Sequence, residues 1–406
     1  MQTLPRQVIG CSLALAAWSA GPVRAGAQEP VTRRQVVDAA LAHGPRVTMA
    51  ATDTAAARAA VLTARAFQNP TLTASYTKDV PQYHFGIDLP LDLPWIRSAR
   101  IRVASEARVS AQSRYAFERA SARFDAEQAY TKALGAAAQA RLSRRNALDA
   151  DSLLRMAALR RDAGDASELD VQLATVNAGQ VANDAAGDSA DAIAALLDVQ
   201  RIMGLASDRV SIALADTLEL PALDTAGATG PRLQVAAAEA AARSAEASLA
   251  LARRSVFASP SLMLGIDSHD PTGAETGLLP TFGVGVTVPL LSWNRGEIAA
   301  AAAASDRARI ELDAARRESD AAVAQAHREL AVATQKVLRD RGLVASGDRV
   351  AAMSLTAYAE GAVALPSVLE AQRQAREALG HLIDDLAAAS TADAAVRLFT
   401  ATEVSP

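Results

Sequence analysis

The chain has 406 residues, of which 50% are hydrophobic but only 4% aromatic, and its formal net charge is −4. Alanine supplies most of that hydrophobicity. Because alanine favours helix and buries little area, the composition suits long packed helices better than a thick globular core. A mildly acidic chain gives no electrostatic basis for binding nucleic acid, so we expect no nucleic-acid partner.

Residues 1–27 have the features of a secretory signal peptide, because Arg6 precedes an apolar stretch that small residues follow. We therefore expect an exported protein whose mature chain begins near Gln28. Cys11, the single cysteine, falls within this segment. The mature chain would then have no disulfide and no cysteine metal ligand. Lipidation at Cys11 is the less favoured alternative, since most of the apolar stretch follows it.

The first half of the mature chain, 28–203, predicts a helix, a hairpin, a long helix, a tight turn and a further helix. In the hairpin, at about 70–93, apolar residues such as Phe85 and Ile87 alternate with polar or small ones. Alternation with a period of two predicts strands with one apolar and one polar face. The long helix, at about 97–162, ends near Gly164, where we expect the chain to reverse direction.

The second half, 231–406, predicts the same elements in the same order after a non-helical connector at 204–230. Its hairpin, at about 260–291, contains the alternating stretch TFGVGVTVPLL. A second long helix, at about 294–359, ends near Gly361. This recurrence predicts an internal duplication.

Four amphipathic strands have a consequence for assembly. Membrane barrels need about eight strands at the least, and open sheet edges are not tolerated in hydrocarbon. Closure must therefore come from other copies of the chain, and the residues alone allow two, three or four copies. On the polar strand faces we predict four pore-facing residues: Asp88, Asp92, Thr281 and Thr287.

Several sequence features recur in both halves. Pro70 and Pro260 open the first strand of each hairpin, and the passages LPLDLPWIRSARIRVA and VPLLSWNRGEIAAAAAA lead from strand to helix. The tip segments are GDASELDVQLA and GAVALPSVLEAQ. These elements occur in the same order in both halves. In this respect the chain resembles the outer membrane efflux protein family, the TolC-like outer membrane factors, over nearly all of its predicted mature length.

The resemblance implies a mainly α-helical homotrimer. Each subunit would give four strands to a shared 12-stranded β-barrel in outer membrane lipid, while its long coiled-coil helices form an α-barrel tunnel in the periplasm. The implied function is the passive exit duct of a tripartite efflux or type I secretion system, working with a periplasmic adaptor protein and an inner-membrane pump. It implies no cofactor and leaves the substrate open.

The resemblance also implies a closed entrance at the helix tips. Its candidate residues are Gly164, Asp170, Gly361, Ser367 and Glu370. Ser367 departs from the family pattern, which often has an aspartate there. Acidic residues in the first turn of a helix also stabilise the helix dipole wherever they occur, which alone could explain Asp170 and Glu370.

Other classes of function are less favoured. Asp267, His269 and Asp270 could hold a metal ion, but an exposed loop between strands is the simpler interpretation. An enzyme is disfavoured because the sequence has no set of residues in the pattern of a known catalytic motif. The main alternative is a soluble periplasmic coiled-coil adaptor or scaffold, which would have no use for two hairpins that expose long apolar stripes.

Overall fold

The computed structural model describes residues 29–205, 208–222, 230–257, 259–268, 277–289 and 292–402. The predicted signal peptide, 1–27, lies outside the described residues. So do parts of the predicted connector and of the second hairpin, including His269 and Asp270.

Within these ranges the chain forms seven helices and six strands. In chain order they are β1 (Glu29–Val31), α1 (Arg33–His43), α2 (Pro45–Arg65), β2 (Thr71–Tyr76), β3 (Tyr83–Pro90), α3 (Pro94–Asp162), α4 (Glu168–Ile202), β4 (Ile212–Leu214), α5 (Leu233–Arg254), β5 (Ser261–Ser268), β6 (Leu279–Gly285), α6 (Arg295–Ala359) and α7 (Leu365–Thr400). The order helix, two strands, long helix and shorter helix occurs twice. The predicted internal duplication is therefore confirmed.

The long helices dominate the shape of the molecule. α3 has 69 residues, which at 1.5 Å per residue makes a rod of about 100 Å. Near the sheet the helices lie side by side in the order α2, α3, α5, α6, and farther from it α4 packs on α3 while α7 packs on α3 and α6. α6 therefore forms one flank of this helical layer, and α2 with α4 forms the other.

The contact between α6 and α7 uses a seam of small and aliphatic residues. Leu330, Ala333 and Val337 are buried along it. Asp340 occupies the next seam position and is also buried. Its burial and the neighbouring Asp385 carboxyl raise the pKa of Asp340.

The four hairpin strands make one antiparallel sheet in the order β2, β3, β5, β6. Leu72, Ile87, Leu264 and Phe282 pair across it in one row. The adjacent polar row is Thr73, Gly86, Gly265 and Thr281. Since paired residues share a face, one side of the sheet is apolar and the other polar, as the alternation predicts.

Glycines on the polar face make room for threonine hydroxyls. A Cβ at Gly265 would lie 2.4 Å from Thr281 Oγ1, and one at Gly86 would lie 2.8 Å from Thr73 Oγ1. The apolar face is left uncovered within the described residues, with Leu72 78% exposed and Phe282 79%.

Two of the four predicted pore-facing residues are not strand residues. Asp88 in β3 and Thr281 in β6 belong to the polar face. Asp92, however, lies beyond the end of β3, with its side chain only 2% exposed and 2.6 Å from the Arg100 guanidinium. Thr287 lies beyond the end of β6. The prediction that these two lie on a strand face is wrong, because each strand ends before it reaches them.

A second, two-stranded sheet packs against the first half near the middle of α3. β1 and β4 pair in parallel, and β4 lies inside the predicted connector. The fully buried Tyr130 of α3 fastens this sheet, since its hydroxyl donates to the Val31 carbonyl (2.9 Å) and accepts from the Asp216 amide (3.3 Å). Burial raises the pKa of Tyr130 to about 12.

Candidate functional site at the helix tips

The chain reverses direction twice at the end of the molecule opposite the sheet, and both turns have the same backbone. Gly164 has φ +84° and Gly361 has φ +78°, a conformation that glycine adopts at little cost. The Asp165 amide donates to the Arg160 carbonyl (2.8 Å), and the Ala362 amide donates to the Ala357 carbonyl (2.8 Å). Both turns are thus Schellman motifs, which satisfy the last carbonyls of α3 and α6.

The first tip starts its following helix with side-chain hydrogen bonds. Ser167 Oγ accepts from the Asp170 amide (3.2 Å). Asp170 Oδ2 in turn accepts from the Ser167 amide (3.0 Å) and the Ser167 hydroxyl (2.9 Å). This is a reciprocal capping box, which satisfies two amide groups at the start of α4. Asp170, predicted as a gate residue, is half-buried and serves in this box.

The second tip starts its helix without such a cap. Ala364 stands at the position equivalent to Ser167, and no side chain bonds to the first amides of α7. Ser367 stands where Asp170 stands in the first tip, three residues after the cap position, and it is exposed. Leu365 and Val368, in contrast, are 1% and 0% exposed. The start of α7 is therefore held by apolar burial.

The two tips share one apolar cluster. Its buried members are Leu153, Ala157, Val171, Ala174, Tyr358, Leu365 and Val368. They come from α3, α4, α6 and α7, so the two halves of the duplication pack against each other here. The start of α7 is consequently buried only while the two tips stay together.

Arg160 and Tyr358 link the tips directly. The Arg160 guanidinium lies 4.6 Å from the centroid of the Tyr358 ring and donates to the Tyr358 carbonyl. It also donates to the Asp165 carbonyl across its own turn (3.4 Å). Such stacking of a cation on an aromatic ring is attractive and gains strength when desolvated. Arg160 of the first half thus contacts the last turn of α6 through both a ring and a backbone carbonyl.

Tyr358 is the largest side chain in this cluster and is only 3% exposed. Its hydroxyl has no hydrogen-bond partner among the described residues. Burial raises the pKa of Tyr358. The contacts that the structure shows for Tyr358 are therefore made by its ring and its carbonyl.

Arg160 and Tyr358 are not among the site residues that the sequence predicts. The one available signal was an aromatic residue in the last turn of an Ala-rich helix, in a chain that is poor in aromatics. Their contact joins residues almost two hundred positions apart, which no local pattern reveals.

Glu370 lies one turn into α7 and is half exposed. Its carboxylate accepts from Arg373 Nε (3.0 Å), Arg373 Nη2 (2.8 Å) and Gln374 Nε2 (2.7 Å). These hydrogen bonds hold the pKa of Glu370 below its usual value. Asp170 is the third residue of α4 and Glu370 the sixth of α7, so the two are not equivalent residues of the two halves.

Two further observations concern metal binding and membrane-spanning helices. Across the described residues, no group of three histidine, cysteine or acidic side chains could hold a metal ion. None of the helices described has a segment both long and apolar enough to span a bilayer.

No protein-family model and no curated protein matches the chain. Solved structures do match. A membrane protein from Pseudomonas aeruginosa is similar at 20% identity with a TM-score of 0.78, over 91% of this chain and 93% of that one. The CmeC outer membrane channel of Campylobacter jejuni is similar at 15% identity with a TM-score of 0.78, over 91% and 85%.

The outer membrane protein VceC of Vibrio cholerae is similar at 16% identity with a TM-score of 0.73, over 91% of this chain and 95% of that one. These matches span almost the whole of each chain, so they compare complete folds rather than single elements. The chain therefore has the fold of the TolC-like outer membrane channels, mainly α-helical with a small sheet at one end, as its resemblance to them predicts.

Proposed function

We propose that this protein is the outer membrane channel of a tripartite efflux or type I secretion system. It would act as a passive exit duct and catalyse no reaction. The observation that carries the proposal is the four-stranded sheet, which has one apolar and one polar face and is joined to helices about 100 Å long. The structures of similar fold include outer membrane channels.

The free edges of the subunit support a ring of copies. β2 and β6 are the two edges of the sheet, and they run in opposite directions. β6 of one copy can therefore pair with β2 of the next in the antiparallel sense. The α6 flank would meet the α2 and α4 flank of the same neighbour. Such head-to-tail contacts close into a ring, and three copies would supply the twelve strands of the implied homotrimer.

Exposed aromatic residues support a membrane boundary where the sheet meets the helices. Both tryptophans of the described residues are exposed where a strand leads into a long helix: Trp95 is the second residue of α3, and Trp293 lies just before α6. Phe67 and Phe257 are exposed just after the ends of α2 and α5. Aromatic rings favour the interface between lipid and water. The sheet would then lie in the outer membrane and the helices in the periplasm.

The tips would form the gate. Because Arg160 and the shared apolar cluster hold the two turns together, opening would have to separate them or move them as a unit. Contact with a periplasmic adaptor protein and an inner-membrane pump would supply the energy for that movement, and Asp170, Ser367 and Glu370 would line the entrance.

Planar-bilayer recording of the purified mature chain tests the proposal, with subunit number from native mass spectrometry. We expect discrete conductance steps and three copies per particle. A water-soluble monomer without conductance would contradict the channel and favour the adaptor alternative.

Adjacent substitutions on opposite sheet faces supply a matched pair. Leu72→Asp places a charge on the apolar face, whereas Thr73→Asp places it on the polar face, opposite Gly86. We expect the first to reduce recovery from outer membranes strongly, because charge on a lipid-facing strand is unfavourable. The second should insert normally. Equal recovery of the two variants would contradict the assignment of the faces.

A further inference from the structure

Arginines are concentrated where the helices meet the sheet. We call this region, comprising 60–70, 91–102, 248–257, 259–260 and 292–302, the junction band. It contains seven arginines: Arg65, Arg97, Arg100, Arg102, Arg253, Arg254 and Arg295. Its carboxylates are only two, Asp92 and Glu297, although the whole chain is net negative.

The segments of the junction band lie at one level of the molecule. α2 and α5 run into the sheet, and α3 and α6 leave it. Arg97 Nη2 donates to the Arg65 carbonyl (2.7 Å), which ties the end of α2 to the start of α3. Asn294 Nδ2 donates to the Ala252 carbonyl (3.2 Å), which ties the end of α5 to the start of α6. The arginines therefore form a belt across the subunit.

Two of the seven arginines have a structural role within the fold. Arg97 and Arg100 lie 3.5 Å and 2.6 Å from the Asp92 carboxylate. Arg100 Nε also donates to the Ala64 carbonyl at the end of α2 (3.2 Å). These contacts explain why Asp92 and its two partners are present.

The other five are exposed and form no ion pair with any residue that the structure describes. They are Arg65, Arg102, Arg253, Arg254 and Arg295. A cation in the last turn of a helix stabilises the helix dipole, which accounts in part for Arg65, Arg253 and Arg254. Arg295 begins α6, where a cation opposes the dipole. Its position therefore needs another explanation.

We propose that the junction band binds the anionic headgroups of phospholipids in the leaflet that borders the helices. This inference rests on the proposed membrane location. Guanidinium groups pair with phosphate oxygens in a bidentate manner. The exposed rings of Trp95 and Trp293 at the same level are suited to the adjacent interface. Charge and aromatic character thus both fit a headgroup layer.

The test uses the full mature chain in nanodiscs that contain equal parts of phosphatidylglycerol and phosphatidylcholine with the same acyl chains. Native mass spectrometry then counts the lipids of each class that stay bound. We expect several-fold more phosphatidylglycerol than phosphatidylcholine on the wild type, since each cation near an anionic surface strengthens attachment about fivefold. High salt should reduce this ratio because it screens the charges.

The junction variant R65Q/R253Q/R254Q/R295Q should lower the ratio to near one. The matched control R141Q/R144Q/R145Q/R341Q removes the same charge from exposed positions on the long helices. Arg141 lies roughly 70 Å along α3 from its start. The control should keep the wild-type ratio.

Three results would overturn the proposal: a wild-type ratio near one, a ratio that does not respond to salt, or a junction variant that keeps its preference. A junction variant that changes ion selectivity without changing bound lipid would place the arginines in the tunnel instead, which also overturns it. If the junction variant does not assemble, the salt response of the wild type decides. Conductance of the wild type, measured separately, tests the channel itself.

Discussion

The two tips have the same turn but keep it in place by different forces. The first tip is polar: Ser167 and Asp170 cap α4 with hydrogen bonds formed within the turn. The second tip is apolar, because α7 begins at the uncapped Ala364 and buries Leu365 and Val368 against the other half. A capped helix start is complete by itself, whereas a start held by burial depends on its neighbour. We therefore expect the start of α7 to lose more stability than the start of α4 when the halves separate.

The largest test of this difference is Tyr358→Ala. Removing a buried aromatic ring destabilises a core by about 3–5 kcal/mol, and Arg160 would lose its partner. We expect amides at the start of α7 to exchange hydrogen much faster while those at the start of α4 change less. Single-channel recordings should show longer open times.

Tyr358→Phe is the matched control. Because the hydroxyl has no partner among the described residues, its loss should leave exchange rates and conductance near those of the wild type. If Tyr358→Phe behaves like Tyr358→Ala, the hydroxyl rather than the ring holds the tip.

Arg160→Gln is the next test in size. It removes the stacking on Tyr358 and the hydrogen bond to the Tyr358 carbonyl, together worth about 1–2 kcal/mol. Hydrogen exchange should rise in the last turn of α6 and the first turn of α7. Arg161→Gln serves as the control, since Arg161 is exposed and, among the described residues, forms ion pairs with Asp162 and Glu168 of the first tip only. Equal effects of the two variants would exclude a specific link through Arg160.

Exchanging the caps tests the comparison directly. Ser167→Ala should destabilise the start of α4 by about 1 kcal/mol. The double variant A364S/S367D gives the second tip the capping box of the first, and it should stabilise the start of α7 by a similar amount. Amide exchange at each helix start measures both changes, and the double variant should also shorten open times. No gain in the double variant would show that α7 does not present free amides for capping.

The smallest structural effect is expected for Glu370→Gln. Glu370 is exposed and pairs with Arg373, so the fold should hardly change, but conductance should change if Glu370 lines the entrance. Its pKa is lowered, so the ionised form persists at neutral pH and disappears only as pH falls through that lowered value. Wild type and variant should therefore differ at neutral pH and converge in acid. Identical conductance at neutral pH would remove Glu370 from the gate.

Local patterns in the sequence were enough to predict the strands and long helices. Leu72, Ile87, Leu264 and Phe282 share a face because alternation fixes side-chain direction in any strand. The glycine turns follow from the backbone freedom that residues Gly164 and Gly361 provide. These features depend on residues that are close in sequence, so they can be predicted from one sequence.

Contacts between distant segments could not be predicted in this way. The pairing of β1 with β4 and the grip of Arg160 on Tyr358 join segments far apart in sequence. Asp92 could not be placed from local pattern either. It continues the alternation of β3, but its carboxylate forms ion pairs with two arginines of the next helix. Alternation specifies which face a residue would take, and only tertiary contacts decide where the strand ends.

The unlike edges of the sheet have a genetic consequence. Each copy offers β2 on one side and β6 on the other, so a copy with a damaged β6 could still dock onto a neighbour through its intact β2. Such a copy would occupy a place in the proposed ring and prevent its completion. Loss-of-function alleles confined to one edge should therefore be dominant when expressed beside the wild-type gene, whereas alleles that prevent folding should be recessive.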